Sequence, residues 1–249
     1  SCGGSGLCGS PDRAGAQGSG VSAEEPLFAH GIAHVGDLID CAPKLIREIL
    51  VEGSDGRLGK LAGAAQRAGI ACRQVGRTEL VRHGGREARA ALAMLEPYPY
   101  VELDDLLADL PQTALLVALD GVTDPGNLGA IARSAVFFGA AGLILPERNS
   151  APVSSTVVRR SAGAVMQLPV ARVTNLVRSL RRLQEAGFWV YGTSPAGSSK
   201  LSEEVFAPRS CLVLGSEGSG MRPLVARSCD SQIGLTGGFE SLNVAGFAA

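Results

Sequence analysis

The chain has 249 residues, of which 45% are hydrophobic and 19% are charged, and its formal net charge is -1. These values predict a soluble globular protein with one large or two modest domains, and they exclude a broad electrostatic attraction of the whole chain to nucleic acid. No apolar run approaches the roughly 18 residues that span a bilayer, and the first residues do not resemble a signal peptide, so we expect a cytoplasmic location.

The first half of the chain contains a predicted tail, a small domain and a linker. Residues 1–25 are rich in Gly, Ser and Ala without apolar periodicity, which predicts a flexible tail. Residues 26–95 alternate between helical and strand patterns, which predicts a small α/β domain. Its predicted elements are a helix near residues 35–39, a strand at 47–53, a helix at 58–69 and a strand at 70–75. Residues 96–112, with prolines, tyrosines and an acidic stretch, are predicted to be a linker.

The spacing of histidines and cysteines predicts neither a metal site nor a disulfide framework. His30 and His34 have the i, i+4 spacing of helical metal ligands, but a third ligand is missing, and Gly31 and Gly36 disfavour a helix there. We therefore interpret both histidines as structural and expect no bound metal. The six cysteines lack a C-x-x-C pair, and we expect all of them to be free thiols: Cys2, Cys8, Cys41, Cys72, Cys211 and Cys229.

Arginines are clustered locally, although the whole chain is nearly neutral. One cluster lies in the small domain, opposed by Glu79 and Glu87, and a second lies in the other half of the chain. Each cluster is consistent with a solvated helix face or with a nucleic-acid contact. The first consists of Arg73, Arg77, Arg82, Arg86 and Arg89, and the second of Arg159, Arg160, Arg178, Arg181 and Arg182.

Residues 113–249 show the pattern of a parallel sheet covered by helices on both faces. Their first apolar run, at residues 114–121, is typical of a strand buried on both faces. Further strands are predicted at residues 142–145, 188–192, 211–214 and 232–235. Helices are predicted at residues 127–138, closed by Gly139, and at residues 174–186, with Thr174 as N-cap and Gly187 as the stop. Ligands of such sheets bind at the carboxyl ends of the strands.

The first of three polar segments follows the first of these strands. Asp120 and Gly121 end the strand, Asn127 begins the next helix, and Arg133 lies about a turn and a half further along it. Helix amides, an amide side chain and a guanidinium suit a phosphodiester or a ribose. A capped helix with a surface arginine explains the same residues equally well.

The other two segments lie towards the end of the chain. Residues 215–220 read G-S-E-G-S-G, which is neither a Walker loop nor a dinucleotide fingerprint, although its glycines allow close approach of backbone to a ligand. Glu217 in this turn is suited to accept from a ligand hydroxyl or amine, or from neighbouring backbone amides. In the third segment, Ser241 is a predicted N-cap and Asn243 falls in the first helical turn.

Taken together, the three segments resemble the SpoU, or TrmH, family of RNA ribose 2′-O-methyltransferases, part of the knotted SPOUT class. The first family motif carries an Asn and an Arg separated as Asn127 and Arg133 are. The second is an apolar strand followed by a G-[SA]-E-G-x-G turn, matched by residues 215–220, and the third ends in S-L-N-V, matched by residues 241–244.

Two further stretches resemble the subgroup of this family that methylates a guanosine in large-subunit ribosomal RNA. Residues 160–176 resemble its central sequence, and residues 28–87 resemble, more weakly, its small substrate-binding domain. The chain departs from the family at Gly234, where a proline is usual, and after His83, where Gly84 replaces a usual glutamine. The family helix that follows Asn243 continues for several turns, whereas this chain ends at Ala249.

The resemblance implies a fold class, a reaction and a set of site residues. The fold is α/β, with a knotted parallel-sheet SPOUT methyltransferase domain over residues 113–249 preceded by a small α/β RNA-binding domain. The reaction is methyl transfer from S-adenosylmethionine to a ribose 2′-hydroxyl of RNA, carried out by a homodimer. The cofactor-binding residues so implied are Leu214, Gly215, Ile233, Leu235 and Leu242, and the catalytic residues are Asn127, Arg133, Glu217, Ser241 and Asn243.

Within this scheme we assign Arg133 to charge stabilisation and not to proton removal. A guanidinium has a pKa above about 12 and resists deprotonation. It is suited to hold the substrate phosphate and to stabilise negative charge on the 2′-oxygen. A phosphate oxygen, water or Glu217 then accepts the proton.

The sequence leaves two alternatives to this function open and disfavours a third. A non-catalytic RNA-binding relative would keep the scaffold without the reaction, and transfer RNA is an alternative substrate to ribosomal RNA. Retention of Asn127, Arg133, Glu217 and Asn243 favours an enzyme. A nucleotide-dependent oxidoreductase is disfavoured because the first strand is not followed by G-x-G-x-x-G.

Overall fold

The computed structural model describes residues 27–86, 88–194, 199–200 and 204–234. The described chain forms two β-sheets, one of four strands and one of seven, each flanked by helices. The predicted tail at residues 1–25 lies outside the described residues, as do Leu235, Ser241, Leu242 and Asn243. Among the described helices, none has the length and apolar character needed to cross a bilayer.

The four-stranded sheet is built from residues before position 96 in the order β1-β4-β2-β3. Strand β4 pairs antiparallel with β1 and β2, and β2 pairs parallel with β3. The four predicted elements of this region are confirmed, whereas β1, α3 and β4 were not predicted. The elements are β1 Leu27–His30, α1 Ile32–Cys41, β2 Ile46–Val51, α2 Gly56–Arg67, β3 Cys72–Gln74, α3 Arg77–Gly84 and β4 Ala91–Leu95, with a short 3₁₀ helix at Pro43–Leu45 between α1 and β2.

Local sequence explains where α2 begins and ends. The Asp55 carboxylate accepts hydrogen bonds from the amides of Arg57 and Leu58, so it caps the first turn. Gly69, at a φ of 71°, follows the last turn in the left-handed region that favours glycine. By contrast, the expectation that glycines disfavour a helix at His34 is wrong, because α1 contains both His34 and Gly36.

Residues 96–112 connect the two sheets and pack against the second one. They contain a helix that was not predicted, α4 Leu103–Ala108. The buried Tyr98 hydroxyl donates to the carbonyl oxygen of Leu168. The Tyr100 hydroxyl accepts from the amide of Val153 at 2.8 Å, and the guanidinium of Arg172 lies 4.9 Å from the centre of the Tyr100 ring.

The seven-stranded sheet has the order β7-β6-β5-β10-β8-β11-β9, and every neighbouring pair in it is parallel. The predicted parallel α/β architecture is therefore confirmed. Strand β7 was not predicted, because its four residues follow a proline and a 3₁₀ helix at Ala164–Gln167. The elements are β5 Ala114–Asp120, α5 Pro125–Phe137, β6 Gly142–Pro146, α6 Ser155–Arg160, β7 Val170–Val173, α7 Leu176–Glu185, β8 Trp189–Thr193, β9 Ser199–Lys200, β10 Arg209–Gly215, α8 Pro223–Ala226 and β11 Ser231–Gly234.

Helices α5 and α7 cover opposite faces of this sheet. Val117 and Leu119 of β5 share a core with α5, whereas Leu116 and Ala118 share a second core with α7. This alternation follows from the period of two of a strand. One boundary differs from prediction: Asn175, not Thr174, caps α7, because the Asn175 side chain accepts from the amide of Arg178.

The two sheets share one hydrophobic core through β1, α1 and α6. The amide of Phe28 in β1 donates to the Ser155 hydroxyl of α6 at 2.7 Å. A Cβ added at Gly163 would lie 3.3 Å from Leu38 Cδ2, so α1 packs closely on the loop after α6. At this interface the Nδ1 of His30 is buried without a hydrogen-bond partner among the described residues.

Helices α5 and α6 approach each other most closely at Gly129. A Cβ at this position would lie 2.5 Å from Arg160 Cβ and 3.1 Å from the carbonyl oxygen of Val157. Those distances leave no room for a side chain unless one of the helices moves. Glycine is therefore required here by packing, although the backbone is ordinary helix.

We predict that Gly129→Ala destabilises the fold by about 1–3 kcal/mol through overpacking. Gly59→Ala is the matched control, because Gly59 is exposed on α2 and an added Cβ meets no atom within 4 Å. The same substitution there should stabilise the protein by roughly 0.5–1 kcal/mol. Urea unfolding measures both, and equal effects at the two positions would contradict this packing.

A second prediction concerns pH. Burial, followed by the charges of Arg159 and His34, lowers the pKa of His30 below its ordinary value. The unfolded chain therefore binds the His30 proton more tightly than the folded chain does. The contribution of His30 to the free energy of unfolding is complete above about pH 6.5 and is lost as the pH falls below that value. The wild-type urea midpoint should be lower at about pH 5.5 than at about pH 7.5, and His30→Asn should reduce that difference. An unchanged difference in the variant would contradict the assignment to His30.

Candidate functional site

Register in the seven-stranded sheet brings the first two polar segments together. Strands β5 and β10 pair in parallel over their whole length, with Asp120 opposite Gly215. The turns that follow these strands therefore leave the sheet at the same edge. Strand β8 ends beside β10 and β11 there, since the Thr193 hydroxyl donates to the carbonyl oxygen of Val213 and Ile233 pairs with Thr193.

Asn127 and Glu217 are in direct contact at this edge. The Asn127 amide Nδ2 donates to Glu217 Oε2 at 3.1 Å, across 90 positions of sequence. Asn127 is held in the first turn of α5 by the N-cap residue Asp124, whose carboxylate accepts from its main-chain amide at 2.8 Å. Pro125 occupies the first helical position, where a missing amide hydrogen costs nothing.

The turn that carries Glu217 is closed on itself. The main chains of Ser216 and Gly220 exchange two hydrogen bonds of 3.0 Å, and Gly218 and Gly220 have φ values of 88° and 67°. A Cβ at Gly215 would lie 2.3 Å from both the carbonyl carbon of Gly220 and the amide nitrogen of Met221. Gly215 is thus required by the turn itself, whatever the turn binds.

Arg133 lies on α5 six positions after Asn127, which is about 9 Å along the helix axis. Its side chain is exposed and makes no salt bridge with any residue that the structure describes. The guanidinium is consequently available to an anion beside the Asn127–Glu217 pair. The structure places Arg133 on the same helix as Asn127, without a hydrogen bond to Asn127 or Glu217.

The residues assigned to the cofactor lie at the same edge where they are described. Leu214 and Ile233 are almost fully buried at the ends of β10 and β11. The carbonyl oxygen of Ile233 accepts from the amide of Ser194 at 2.9 Å, which ties the end of β11 to the end of β8. Leu235 and Leu242, like Ser241 and Asn243, fall outside the described residues.

An ion pair with a buried carboxylate at this edge was missed from the sequence. Asp120 is 1% exposed, and its carboxylate accepts from the main-chain amide and the Nε of Arg222, each at 2.7 Å. The Nη2 of Arg222 also lies 2.7 Å from the carboxylate. This pair fastens the chain after the turn to the end of β5. An acidic residue ending an otherwise apolar strand was the available signal, because a buried carboxylate requires a partner.

The thiols near this edge are packing groups. A Cβ at Gly192 would lie 2.9 Å from Cys229 Sγ, and burial, then the charges of Asp230 and Asp120, raises the pKa of Cys229 to about 12. Cys229 is therefore protonated at neutral pH and is not a nucleophile. Cys41, Cys72, Cys211 and Cys229 are free, as expected, whereas Cys2 and Cys8 lie outside the described residues. Nor do the described residues contain a group of His, Cys, Asp and Glu side chains that could hold a metal ion.

Comparison with known proteins identifies the same family as the sequence motifs. A family model for the SpoU rRNA Methylase family matches residues 114–249. A relative from Xanthomonas campestris, the 23S rRNA (guanosine-2'-O-)-methyltransferase RlmB, is 39% identical over 86% of this chain and 89% of its own length. The protein of the same name from Vibrio vulnificus is 36% identical over 87% of this chain and 91% of its own length.

Solved structures of two methyltransferases share the fold. The SpoU methyltransferase AviRb from Streptomyces viridochromogenes, in complex with AdoMet, is 26% identical with a TM-score of 0.73 and covers 90% of this chain and 86% of its own. An AdoMet-bound rRNA methyltransferase from Sinorhizobium meliloti is 28% identical with the same TM-score of 0.73, over 90% of this chain and 84% of its own.

The unequal burial of Asp120 and Arg222 predicts that removing one partner of the ion pair destabilises the fold more than removing the other. The Asp120 side chain is 0% exposed, whereas that of Arg222 is 56% exposed. Arg222→Met strands a buried carboxylate with only a main-chain donor and should destabilise the fold by about 3 kcal/mol. Asp120→Asn leaves an acceptor in place and lets the arginine turn to water, so it should cost about 1 kcal/mol. Urea unfolding of both variants tests the order, and a larger cost for Asp120→Asn would contradict it.

Proposed function

The chain belongs to the SpoU rRNA methylase family, and on that basis we propose that it transfers a methyl group from S-adenosylmethionine to the ribose 2′-hydroxyl of a guanosine in 23S ribosomal RNA. The substrate comes from the names of the two bacterial relatives that are similar over most of this chain. The cofactor comes from the family and from the AdoMet complexes of the two related structures.

One observation carries the proposal. The hydrogen bond between Asn127 and Glu217 joins the first and second family motifs into a single polar site at the carboxyl edge of the sheet. Each motif alone has an ordinary structural explanation, whereas their contact is what a shared substrate requires. Ligands of open parallel sheets bind at this edge.

The described residues fit S-adenosylmethionine. When bound, it supplies an electrophilic methyl group on a sulfonium. It has no phosphate, so the absence of a Walker or dinucleotide loop at this edge is consistent with it. In this proposal the chain around Leu214 and Ile233, at the ends of β10 and β11, provides main-chain contacts to the edge of the adenine ring. Gly215, Leu235 and Leu242 are proposed to complete these contacts.

The polar residues have separate roles in the proposed reaction. Asn127 and Glu217 orient the target ribose, since both already lie within hydrogen-bonding distance of each other at the strand ends. Arg133 holds the adjoining phosphate and stabilises the negative charge that develops on the 2′-oxygen. The proton from the 2′-hydroxyl passes to Glu217, to a phosphate oxygen or to water. Ser241 and Asn243 are proposed to complete the ribose contacts.

The proposal also covers the domain organisation, the oligomeric state and the location of the protein. The small domain, residues 26–95, is proposed to bind RNA, with residues 96–112 joining it to the methyltransferase domain at 113–249 and residues 1–25 forming a tail. A trefoil knot and a homodimer are properties that the resemblance to the SPOUT class implies. A cytoplasmic location follows from a ribosomal RNA substrate.

The proposal predicts a selective effect of Arg133→Ala. Methylation of an unmodified 23S ribosomal RNA transcript should fall about 10²–10³-fold, because a preorganised donor to developing charge is removed. Cofactor binding measured by calorimetry should be unchanged. The matched control is Arg181→Ala, an exposed arginine on α7 across the sheet, which should retain wild-type activity.

Three results would contradict parts of the proposal. An Arg133→Ala protein with a near-normal methylation rate would remove the assigned role of Arg133. Wild-type protein that methylates a transfer RNA transcript and not the 23S transcript would show that transfer RNA is the substrate. A wild-type protein that binds the 23S transcript without incorporating methyl groups would instead indicate a non-catalytic relative.

A further inference from the structure

A second arginine lies beside Arg133 on a different helix. Arg160 is the last residue of α6, and its Cβ would be 2.5 Å from a Cβ placed on Gly129 of α5. The base of the Arg160 side chain therefore rests directly on the first half of α5. This contact depends on glycine, because any larger residue at position 129 would push the two helices apart.

Helix geometry directs Arg133 towards the same place. Arg133 follows Gly129 by four positions, so the two residues share one face of α5 at about 6 Å between Cβ positions. Helical side chains lean towards the helix N-terminus, and Arg133 consequently covers the turn that Arg160 touches. The side chains of Arg133 and Arg160 thus start from the same face of α5, within two helical turns of Asn127.

Neither of these two arginines has an acidic partner among the described residues. Arg133 and Arg160 are exposed, and neither forms a salt bridge within residues 27–86, 88–194, 199–200 and 204–234. Exposed arginines elsewhere are of both kinds: Arg73, Arg77 and Arg182 are paired with acidic residues, whereas Arg178 and Arg181 form no salt bridge with any described residue. The acidic groups near Asn127 are engaged, since Asp124 caps α5 and Glu217 accepts from Asn127. Neighbouring unpaired cations repel each other, and an anion between them removes that repulsion.

We propose that Arg160 binds a phosphate of the RNA substrate next to the phosphate held by Arg133. The two arginines hold adjacent phosphates of one strand and fix the position of the target ribose at Asn127 and Glu217. This inference rests on the proposed function and adds a positioning residue to it. Arg160 acts on the RNA backbone and does not read its sequence.

RNA is favoured here over a second copy of the chain. Phe137 follows Arg133 by about one helical turn on the same face of α5 and is 82% exposed. An apolar contact with another protein is therefore the competing explanation for this surface. Two adjacent unpaired guanidiniums would be desolvated in such an interface, whereas phosphates neutralise both. Charge complementarity therefore selects the nucleic acid.

The test measures how RNA affinity depends on salt. Wild type, Arg160→Gln, Arg160→Lys and Arg181→Gln are compared in binding an unmodified 23S ribosomal RNA transcript between about 50 and 200 mM KCl. Arg160→Gln should weaken binding roughly 5–10-fold at low salt and reduce the slope of log affinity against log salt by about 0.7–0.9, the value of one phosphate contact. Arg160→Lys keeps the charge and should keep the slope, and Arg181→Gln should match wild type.

The outcomes separate this inference from the function on which it rests. Arg160→Gln with the wild-type slope would overturn the inference while leaving the methyltransferase proposal intact. A changed sedimentation coefficient with an unchanged slope would also overturn it and would indicate a contact between copies. Wild-type protein that binds no RNA would overturn both proposals. Glutamine retains the aliphatic stem that packs on Gly129, and urea unfolding verifies that the variant is folded.

Discussion

The in-register pairing of β5 with β10 is the constraint on which the site depends. It places Asp120 opposite Gly215, so a buried carboxylate ends one strand where the Glu217 turn leaves the other. A carboxylate without solvent requires strong donors, and Arg222 supplies its main-chain amide and its guanidinium after the turn has reversed. The ion pair and the ladder together determine where the turn lies. The contact between Glu217 and Asn127 follows from that position.

Glycines make this arrangement possible in two different ways. At Gly215 an added Cβ would meet the backbone of the closing turn, and at Gly129 it would meet the neighbouring helix α6. The first glycine lets the turn that carries Glu217 close over the strand end, and the second lets Arg160 pack on the face of α5 that carries Arg133. Both are requirements of close packing, since neither residue has a positive φ. The arrangement of the polar site thus depends on two glycines, because a side chain at either position would prevent the close contacts.

The sequence predicts the elements that are defined by local apolar runs and glycines, and it does not reveal those that depend on partners distant in the chain. Apolar runs predicted β5, β6, β8 and β10, and Gly139 and Gly187 correctly marked helix ends. Strand β7 and helix α4 are short, and their burial comes from partners distant in sequence, so no periodicity revealed them. Arg222 was missed because its role depends on a strand 102 positions earlier. The family motifs named Asn127 and Glu217, whose contact the fold then provides, while Leu235, Ser241, Leu242 and Asn243 remain predictions.

Methylation of a ribose in large-subunit ribosomal RNA is the reaction proposed for this site, and it can be measured by mapping 2′-O-methylation in 23S ribosomal RNA from cells with and without the protein. One guanosine should lose its ribose methyl group in cells without the protein. The wild-type chain should restore this methyl group, and an Asn127→Ala chain of equal abundance should not. An unchanged methylation map in cells without the protein would show that the site does not carry out this reaction.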